Sequence, residues 1–442
     1  MLLTDNANPR ALALHSLLRC EKDGKFANLE VNAALRGASL SEQDRGLYTA
    51  LVYGVVERTL TLDYVIASLS DRPLSALDGE VKNALRMGLY QMIYMDKIPD
   101  HAAVSETVNC VGRKSRGFVN AILRAYLRAK DKIRFPERAD GLDRYLSVTY
   151  AIPEAICRLW REGYGEETAE RLCEAANWHT PLSLRVNTLK ISDGELAARL
   201  ADLGITAAPH DILPHCLTVE VGGTIARLSP LLDQGLCFVQ DPASLACVYA
   251  LDPQPGERIL DTCAAPGGKS FSIGIAMEDR GALRSCDLHK SKISLIASGA
   301  ERLGISILTA ECRDGKQLCE SDIGAYDRVL CDVPCSGLGV LAKKPDIRHR
   351  PLDGMDALCS TQRAILETAS RYVREGGVLC YSTCTLNPKE NEEAVREFLA
   401  RHPEFAPKDF SIGPIRSQEG TYTFLPGPIS TDGFFVAVMK RK

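Results

Sequence analysis

No stretch of the 442 residues approaches the roughly 18 uninterrupted apolar positions that a membrane-spanning helix needs, which excludes a helical membrane protein. The opening MLLTDNANPRALALHSLL meets Asp5 and Pro9 too early for a signal peptide's apolar region, so a cytoplasmic chain is expected. A large net charge is also missing: 53 basic against 57 acidic residues leave −4, and nothing global announces nucleic acid. Disorder and collagen-like repetition are excluded by 45% hydrophobic and 25% charged residues, an ordinary globular mixture. What is present is length, more than one hydrophobic core usually organises, and two or three domains are expected. Cysteine is plentiful too, with 16 residues. Spread over a long chain without an export signal, most are expected to be small buried hydrophobes, with a few carrying chemistry.

Charge is unevenly placed. Arg113, Lys114, Arg116, Arg124, Arg128, Lys130, Lys132, Arg134 and Arg138 face only Asp131 and Glu137 in the same segment. Such a surplus in an acidic protein is either a solvated helix face or a footprint for phosphate backbones.

Three parts follow one another. Residues 1–140 read as an all-helical bundle. Apolar positions recur at helical spacing behind Pro9, Ser41 with Glu42-Gln43-Asp44 opens a helix continued by Leu51–Val56, and further helices are expected over 81–95 and as a pair over 102–127. Residues 141–235 change character to a small α+β connector, with strands at 182–187 and 216–221 around a helix at 192–203. From 236 to 442, apolar runs at 258–261, 283–287, 305–308, 328–332 and 378–382 alternate with helices, and 433–439 suits a final strand. That pattern is a doubly wound, Rossmann-like α/β domain, whose ligands sit beyond the carboxyl ends of its strands.

The motifs fall at those ends. Asp261-Thr262-Cys263-Ala264-Ala265-Pro266-Gly267-Gly268-Lys269-Ser270 runs from a strand through a glycine turn into a helix, where small residues let a ligand approach and helix N–H groups meet an anion. It nearly matches a nucleotide-triphosphate loop, but Cys263 replaces the first glycine and Pro266 removes a donor. A tight turn without a ligand is the plainer alternative. Asp287 ends the next strand at the distance at which an acidic residue commonly takes ribose hydroxyls, and Asp314 follows the third strand, near a bound base. Each, taken alone, is as well read as a helix cap. Asp332-Val333-Pro334-Cys335-Ser336-Gly337 and Ser382-Thr383-Cys384-Thr385 each put a cysteine just past a strand. Cys331 with Cys335 and Cys380 with Cys384 also have zinc-like spacing, although Cys331 and Cys380 fall inside apolar strands, where burial is the expectation, and no metal is expected.

In this order, Cys-Ala-Ala-Pro-Gly-Gly-Lys, Asp-Val-Pro-Cys-Ser-Gly and Ser-Thr-Cys-Thr resemble the RNA cytosine-5 methyltransferases of the NOL1/NOP2/Sun family. The helical part is similar to the antitermination factor NusB, including Arg116-Gly117-Phe118-Val119-Asn120-Ala121-Ile122-Leu123-Arg124. The fusion of the two resembles bacterial enzymes of small-subunit ribosomal RNA, and the likeness extends to Leu184–Thr188, Val239-Gln240-Asp241 and Pro345-Asp346-Ile347-Arg348. Ala243 and Thr385 are less common choices within it. The resemblance implies S-adenosylmethionine held by Cys263, Ala264, Ala265, Pro266, Gly267, Gly268, Lys269, Asp287, Asp314 and Asp332. It implies Cys384 as the nucleophile that adds to cytosine C6, Cys335 in product release, and Asp332 at the cytosine edge, with Lys269 an electrostatic partner in the cleft. The implied partner is 16S rRNA, in an unassembled or partly assembled small subunit, met by a monomer. A transfer RNA substrate, a non-catalytic RNA-binding scaffold and a nucleotide triphosphatase are the competing readings. No residue next to Cys384 in sequence is strongly basic, so whatever activates its thiol must come from the fold.

Overall fold

The structure is a computed structural model that describes residues 7–178, 181–220, 225–427 and 431–442. It divides into two compact units, Met1–Trp178 with Leu341–Arg350, and His179–Val340 with Pro351–Lys442. The expected boundary near residue 140 thus falls inside the first unit.

The first unit is helical: α1 (Pro9–Asp23), α2 (Ala27–Gly37), α3 (Glu42–Leu69), α4 (Gly79–Tyr94), α5 (Asp100–Cys110), α6 (Arg113–Ala129), α7 (Leu142–Tyr150), α8 (Glu154–Tyr164) and α9 (Glu166–Ala175). Asn8 caps α1 by accepting from the amides of Arg10 and Ala11, and Ser41 caps α3 by accepting from that of Asp44. Leu14, Leu17, Leu51, Val55, Leu62, Leu85 and Met87 form the core. A Cβ on Gly54 would stand 2.0 Å from the Tyr90 ring, so glycine is what lets that ring lie against α3. Helix α2 is not among the helices expected from the sequence. No neighbouring side chain caps it, and it is held by burial of Ala27 and Val31 in the common core and by a bond from the Ala27 amide to the distant Asp346 rather than by a local start signal.

Residues 341–350 belong to this unit although the sequence places them deep in the α/β part. Arg348 is 0% exposed. Its guanidinium donates to the carbonyls of Glu57 (2.7 Å), Ala151 (3.3 Å) and Ala176 (3.0 Å) and to Asn177 Oδ1 (3.1 Å). Asp346 accepts from the Ala27 amide at 2.9 Å, and Arg350 lies over the Phe26 ring at 4.5 Å.

The second unit holds two larger sheets. The smaller is antiparallel in the order β2-β3-β1-β4, from β1 (Leu182–Val186), β2 (Thr206–Pro209), β3 (Cys216–Glu220) and β4 (Cys237–Val239). Its helix Asp193–Asp202 starts with a capping box between Ser192 and Glu195. The main strands are β5 (Arg258–Asp261), β6 (Ala282–Asp287), β7 (Leu308–Cys312), β8 (Tyr326–Asp332), β9 (Val373–Thr383) and β10 (Phe405–Pro407). A two-stranded ribbon, β11 (Ser411–Ile412) and β12 (Ile415–Arg416), precedes β13 (Thr421–Phe424) and β14 (Phe434–Arg441).

The main sheet runs β10-β14-β9-β8-β5-β6-β7, with β13 also on β14. Strands β5 to β9 are mutually parallel, while β14 is antiparallel to β9 and pairs Phe435 with Thr383. Alternate side chains feed two cores. Ile259, Leu330, Val378 and Cys380 point into one, and Leu260, Val329, Cys331 and Leu379 into the other. The apolar run expected as a strand at 305–308 mostly precedes β7. Ile305 is buried as the chain leaves the helix Lys290–Leu303, and the strand itself is half polar because it lies at the sheet's edge. Strand order reverses at β5, which sits between β6 and β8, so the crevice for a ligand opens there.

Candidate active site

Parallel strands bring the carboxyl ends of β5, β6, β7, β8 and β9 to one edge, and the expected cofactor and catalytic residues lie at or past those ends. After β5 the chain turns through Cys263–Gly267 into the helix Gly268–Ala276. Gly267 has φ +115°, and a Cβ there would be 2.3 Å from the Phe271 ring, so the turn requires glycine. Asp261 is buried beneath it and accepts from Ser270 Oγ at 2.6 Å. Burial pushes its carboxyl up to about 7, against the pull of Ser270. Burial also raises the Cys263 thiol well above its ordinary range, which suits a packed turn residue. Gln240 ties the turn to the chain before it, donating to the Gly268 carbonyl at 3.1 Å and accepting from Ser272 Oγ at 2.7 Å.

Asp287 ends β6. Its Oδ2 accepts from the Ala265 amide at 3.3 Å and its Oδ1 from the His289 amide at 3.0 Å, which aims the carboxylate at the turn. Asp314, just past β7, accepts from the Lys316 amide at 3.0 Å and so also caps its own turn. S-adenosylmethionine carries a sulfonium, an ammonium, a carboxylate and ribose hydroxyls. The donor set fits it. No side chain caps the helix Gly268–Ala276, so its first amides face the turn, and carboxylates stand at the ends of β6 and β8 and just past β7.

The chemistry of the other half centres on two thiols. Cys335, in the loop after β8, and Cys384, immediately after β9, stand with their sulfurs 3.3 Å apart. The contact with Cys384, and then burial, hold Cys335 well above the usual thiol range. Asp332 at the end of β8 accepts from Lys269 Nζ at 2.7 Å and from Ser382 Oγ at 2.8 Å. Burial works against the Lys269 ammonium, but the Asp332 charge outweighs it and leaves the lysine above its ordinary pKa, with Cys247 and, less strongly, Cys384 contributing in the same direction. Lys269 also lies 5.0 Å from the centre of the Phe434 ring.

Sequence reasoning missed what holds the two loops together. Glu390 is wholly buried. Its carboxylate accepts from the Ser336 amide (2.9 Å), Gln362 Nε2 (2.8 Å) and Asn387 Nδ2 (2.9 Å), and its carbonyl accepts from the Tyr381 hydroxyl (2.7 Å). Thr385 shares a hydrogen bond with Ser336 Oγ at 2.7 Å and accepts from the Leu338 amide at 3.3 Å, so its hydroxyl is structural. Gly339 donates to the Cys384 carbonyl at 3.1 Å and accepts from Gly433 at 2.8 Å, and a Cβ on it would be 1.9 Å from the Gly433 carbonyl oxygen. The polar run Asn387-Pro388-Lys389-Glu390-Asn391 right after a candidate nucleophile was the available signal.

The other members of the zinc-like spacing turn elsewhere. Cys380 meets Cys247 at 3.8 Å, and Cys331 accepts from Thr262 Oγ1 at 3.5 Å. Among the described residues no group of three or more His, Cys, Asp or Glu side chains could hold a metal ion, and no helix is long and apolar enough to cross a membrane.

Residues 248–440 match the family model described as 16S rRNA methyltransferase RsmB/F, residues 7–128 that of the NusB family, and residues 152–226 a ferredoxin-like domain of RsmF/B-like methyltransferases. The chain is 36% identical to the "Probable ribosomal RNA small subunit methyltransferase B" of Bacillus subtilis (strain 168), over 98% of each chain. It is 31% identical to the ribosomal RNA small subunit methyltransferase B of Vibrio cholerae, again over 98% of each. Among solved structures it superposes on PH0851 with a TM-score of 0.81 at 26% identity, covering 98% of this chain and 99% of the other. A methyltransferase homologue from Pyrococcus horikoshii aligns with a TM-score of 0.59 at 26% identity, over 67% of this chain and 98% of its own. Identity sustained over the full length of such relatives makes this chain a member of the 16S rRNA methyltransferase RsmB/F family, with a NusB-type helical part and an S-adenosylmethionine-dependent α/β part.

Proposed function

We propose that this chain methylates carbon 5 of a cytosine in 16S rRNA through a covalent bond between Cys384 and cytosine C6. The observation that carries the reading is the Cys335–Cys384 pair, 3.3 Å apart beside the Lys269–Asp332 ion pair. Cytosine C5 is a weak nucleophile until a thiolate adds at C6 and drives the ring's C5–C6 π electrons toward C5. When bound, S-adenosylmethionine supplies the electrophilic methyl group that C5 takes. Lys269 is the cation that favours a thiolate at Cys384, while the Cys335 S–H donates to that sulfur. Asp332 holds the cytosine edge and stabilises its protonated form as the adduct builds.

Release needs the C5 proton to leave, so that its electron pair re-forms C5–C6 and the C6–sulfur bond breaks. Once Cys384 is a thioether, the contact that raises Cys335 is gone, its thiol becomes easier to ionise, and it is placed to take that proton. The glycine turn with Cys263–Lys269, Asp287 and Asp314 is the cofactor's half of the site. The substrate is best read as unassembled or partly assembled small-subunit RNA, because the target base must leave its stack to reach either thiol.

Transfer of labelled methyl from S-adenosylmethionine to 16S rRNA, mapped by bisulfite sequencing, tests the reading. One protected cytosine in 16S rRNA is expected. Label only in transfer RNA would move the substrate, and label at any atom other than cytosine C5 would overturn the chemistry.

A further inference from the structure

All nine basic side chains from Arg113 to Arg138 are exposed. Arg138 pairs with Glu170, and Arg134 approaches Asp140 at 3.9 Å. Among the described residues the other seven form no ion pair with a carboxylate, so their charge is available to a partner. Between Lys132, Arg134 and Arg138 stands Phe135, 41% exposed. A lone exposed phenylalanine needs no explanation. This one is built in place. Its ring centre lies 5.6 Å from that of Tyr64 on α3, with the planes 30° apart. The Tyr64 hydroxyl donates to the Arg134 carbonyl at 2.6 Å, fixing the backbone just before Phe135, and Pro136 just after it is buried. An aromatic face held rigid beside the unpaired Lys130 and Lys132 and the exposed Arg134 has the two components of a single-stranded nucleic-acid site, a stacking surface and a phosphate-attracting rim.

We infer that Phe135, backed by Tyr64, is a stacking platform for an unpaired base of the RNA substrate, with Lys130, Lys132 and Arg134 taking the adjoining phosphates. The inference rests on the RNA reading above and adds to it a site in the helical unit. Stacking and phosphate contacts differ in their salt dependence. Removing a phosphate contact flattens the slope of log affinity against log salt by about 0.7 per charge on a single strand, whereas removing a stacking ring leaves the slope unchanged.

The test uses the full-length protein, fluorescence anisotropy and a labelled single-stranded segment of 16S rRNA, over a salt series. Phe135→Ala is expected to weaken binding about tenfold with an unchanged salt slope, and to reduce the preference for single strand over duplex. Phe135→Tyr should restore both. Lys132→Gln with Arg134→Gln should flatten the slope and leave the strand preference intact. A thermal midpoint of Phe135→Ala within a few degrees of wild type keeps a folding defect apart from a lost contact. After a larger drop the deciding comparison is Phe135→Tyr against Phe135→Leu, which differ in stacking far more than in bulk. Wild-type affinity in Phe135→Ala, or equal affinity in the Tyr and Leu variants, would overturn the platform while methylation of the same RNA kept the enzymatic reading. Absence of both binding and methylation by the wild-type protein would overturn the enzymatic reading, and the platform with it.

Discussion

Cys247 and Cys380 meet at 3.8 Å inside the main sheet's core, whereas Cys335 and Cys384 meet at 3.3 Å beyond the ends of its strands. Both contacts raise a thiol. Cys380 is pushed up by Cys247 and by burial, as Cys335 is by Cys384 and by burial. Thiol proximity and titration therefore do not separate an inert pair from a reactive one. Surroundings do. The inner pair belongs to the same buried apolar cluster as Leu245, Val248, Ile273 and Val436. The outer pair lies past the ends of β8 and β9, and its two loops are tied through Glu390. The Lys269 and Asp332 charges act on both pairs, so what sets the outer pair apart is access: Cys247 and Cys380 are wholly buried, while Cys335 and Cys384 are only half-buried beyond the strand ends, where a base can reach them.

Substitutions at the two pairs and around them sharpen or break this contrast. Cys384→Ala should cut methyl transfer by about 10⁴-fold or more, while Cys380→Ala stays within a few-fold of wild type in the same labelled-methyl assay. Equal losses would erase the distinction. Glu390→Gln keeps the shape but replaces an acceptor-only carboxylate facing an amide N–H, Gln362 and Asn387. It should lower kcat by about 10- to 100-fold and cost about 1–3 kcal/mol of stability by denaturant unfolding.

Asp261→Asn acts through pH. With its carboxyl raised to about 7 by burial, Asp261 binds its proton more tightly in the folded than in the unfolded chain. Its contribution is full below the ordinary carboxylate pKa of about 4 and is lost as pH rises through about 7. Stability measured from pH 4 to 8 should therefore decline less in Asp261→Asn than in the wild type, and parallel curves would contradict the assignment. Cys247→Ala, the mildest, should cost about 1 kcal/mol from lost packing and leave methylation unchanged.

Much of this was legible in the chain because local signals and tertiary structure agree. Asn8 and Ser41 cap the helices they precede, the capping box of Ser192 and Glu195 opens the expected helix, and four of the five expected parallel strands lie within the observed ones. The agreement fails where stability comes from afar. Helix α2 has no local cap and depends on docking and on the distant Asp346, which accepts from its first amide. Strand β7 is an edge strand whose apolar neighbour Ile305 belongs to the turn before it. Residues 341–350 carry no local sign that they leave the α/β unit, because the terminal nitrogens of Arg348 bond to carbonyls 171 to 291 positions distant in sequence. At the site, the motif cysteines and carboxylates were visible as residue types, but Glu390 was not, since its meaning lies in four partners drawn from separate segments.

In the proposed reaction Cys384 attacks and Cys335 releases, a division of labour between two sulfurs that touch, and a denaturing gel of each alanine variant with substrate RNA and S-adenosylmethionine tests it most directly. Cys335→Ala should accumulate a stable, slowly migrating protein–RNA adduct, because attack by Cys384 survives and release is slowed. Cys384→Ala should form none. A stable adduct with Cys384→Ala and none with Cys335→Ala would contradict the account and reverse the two roles.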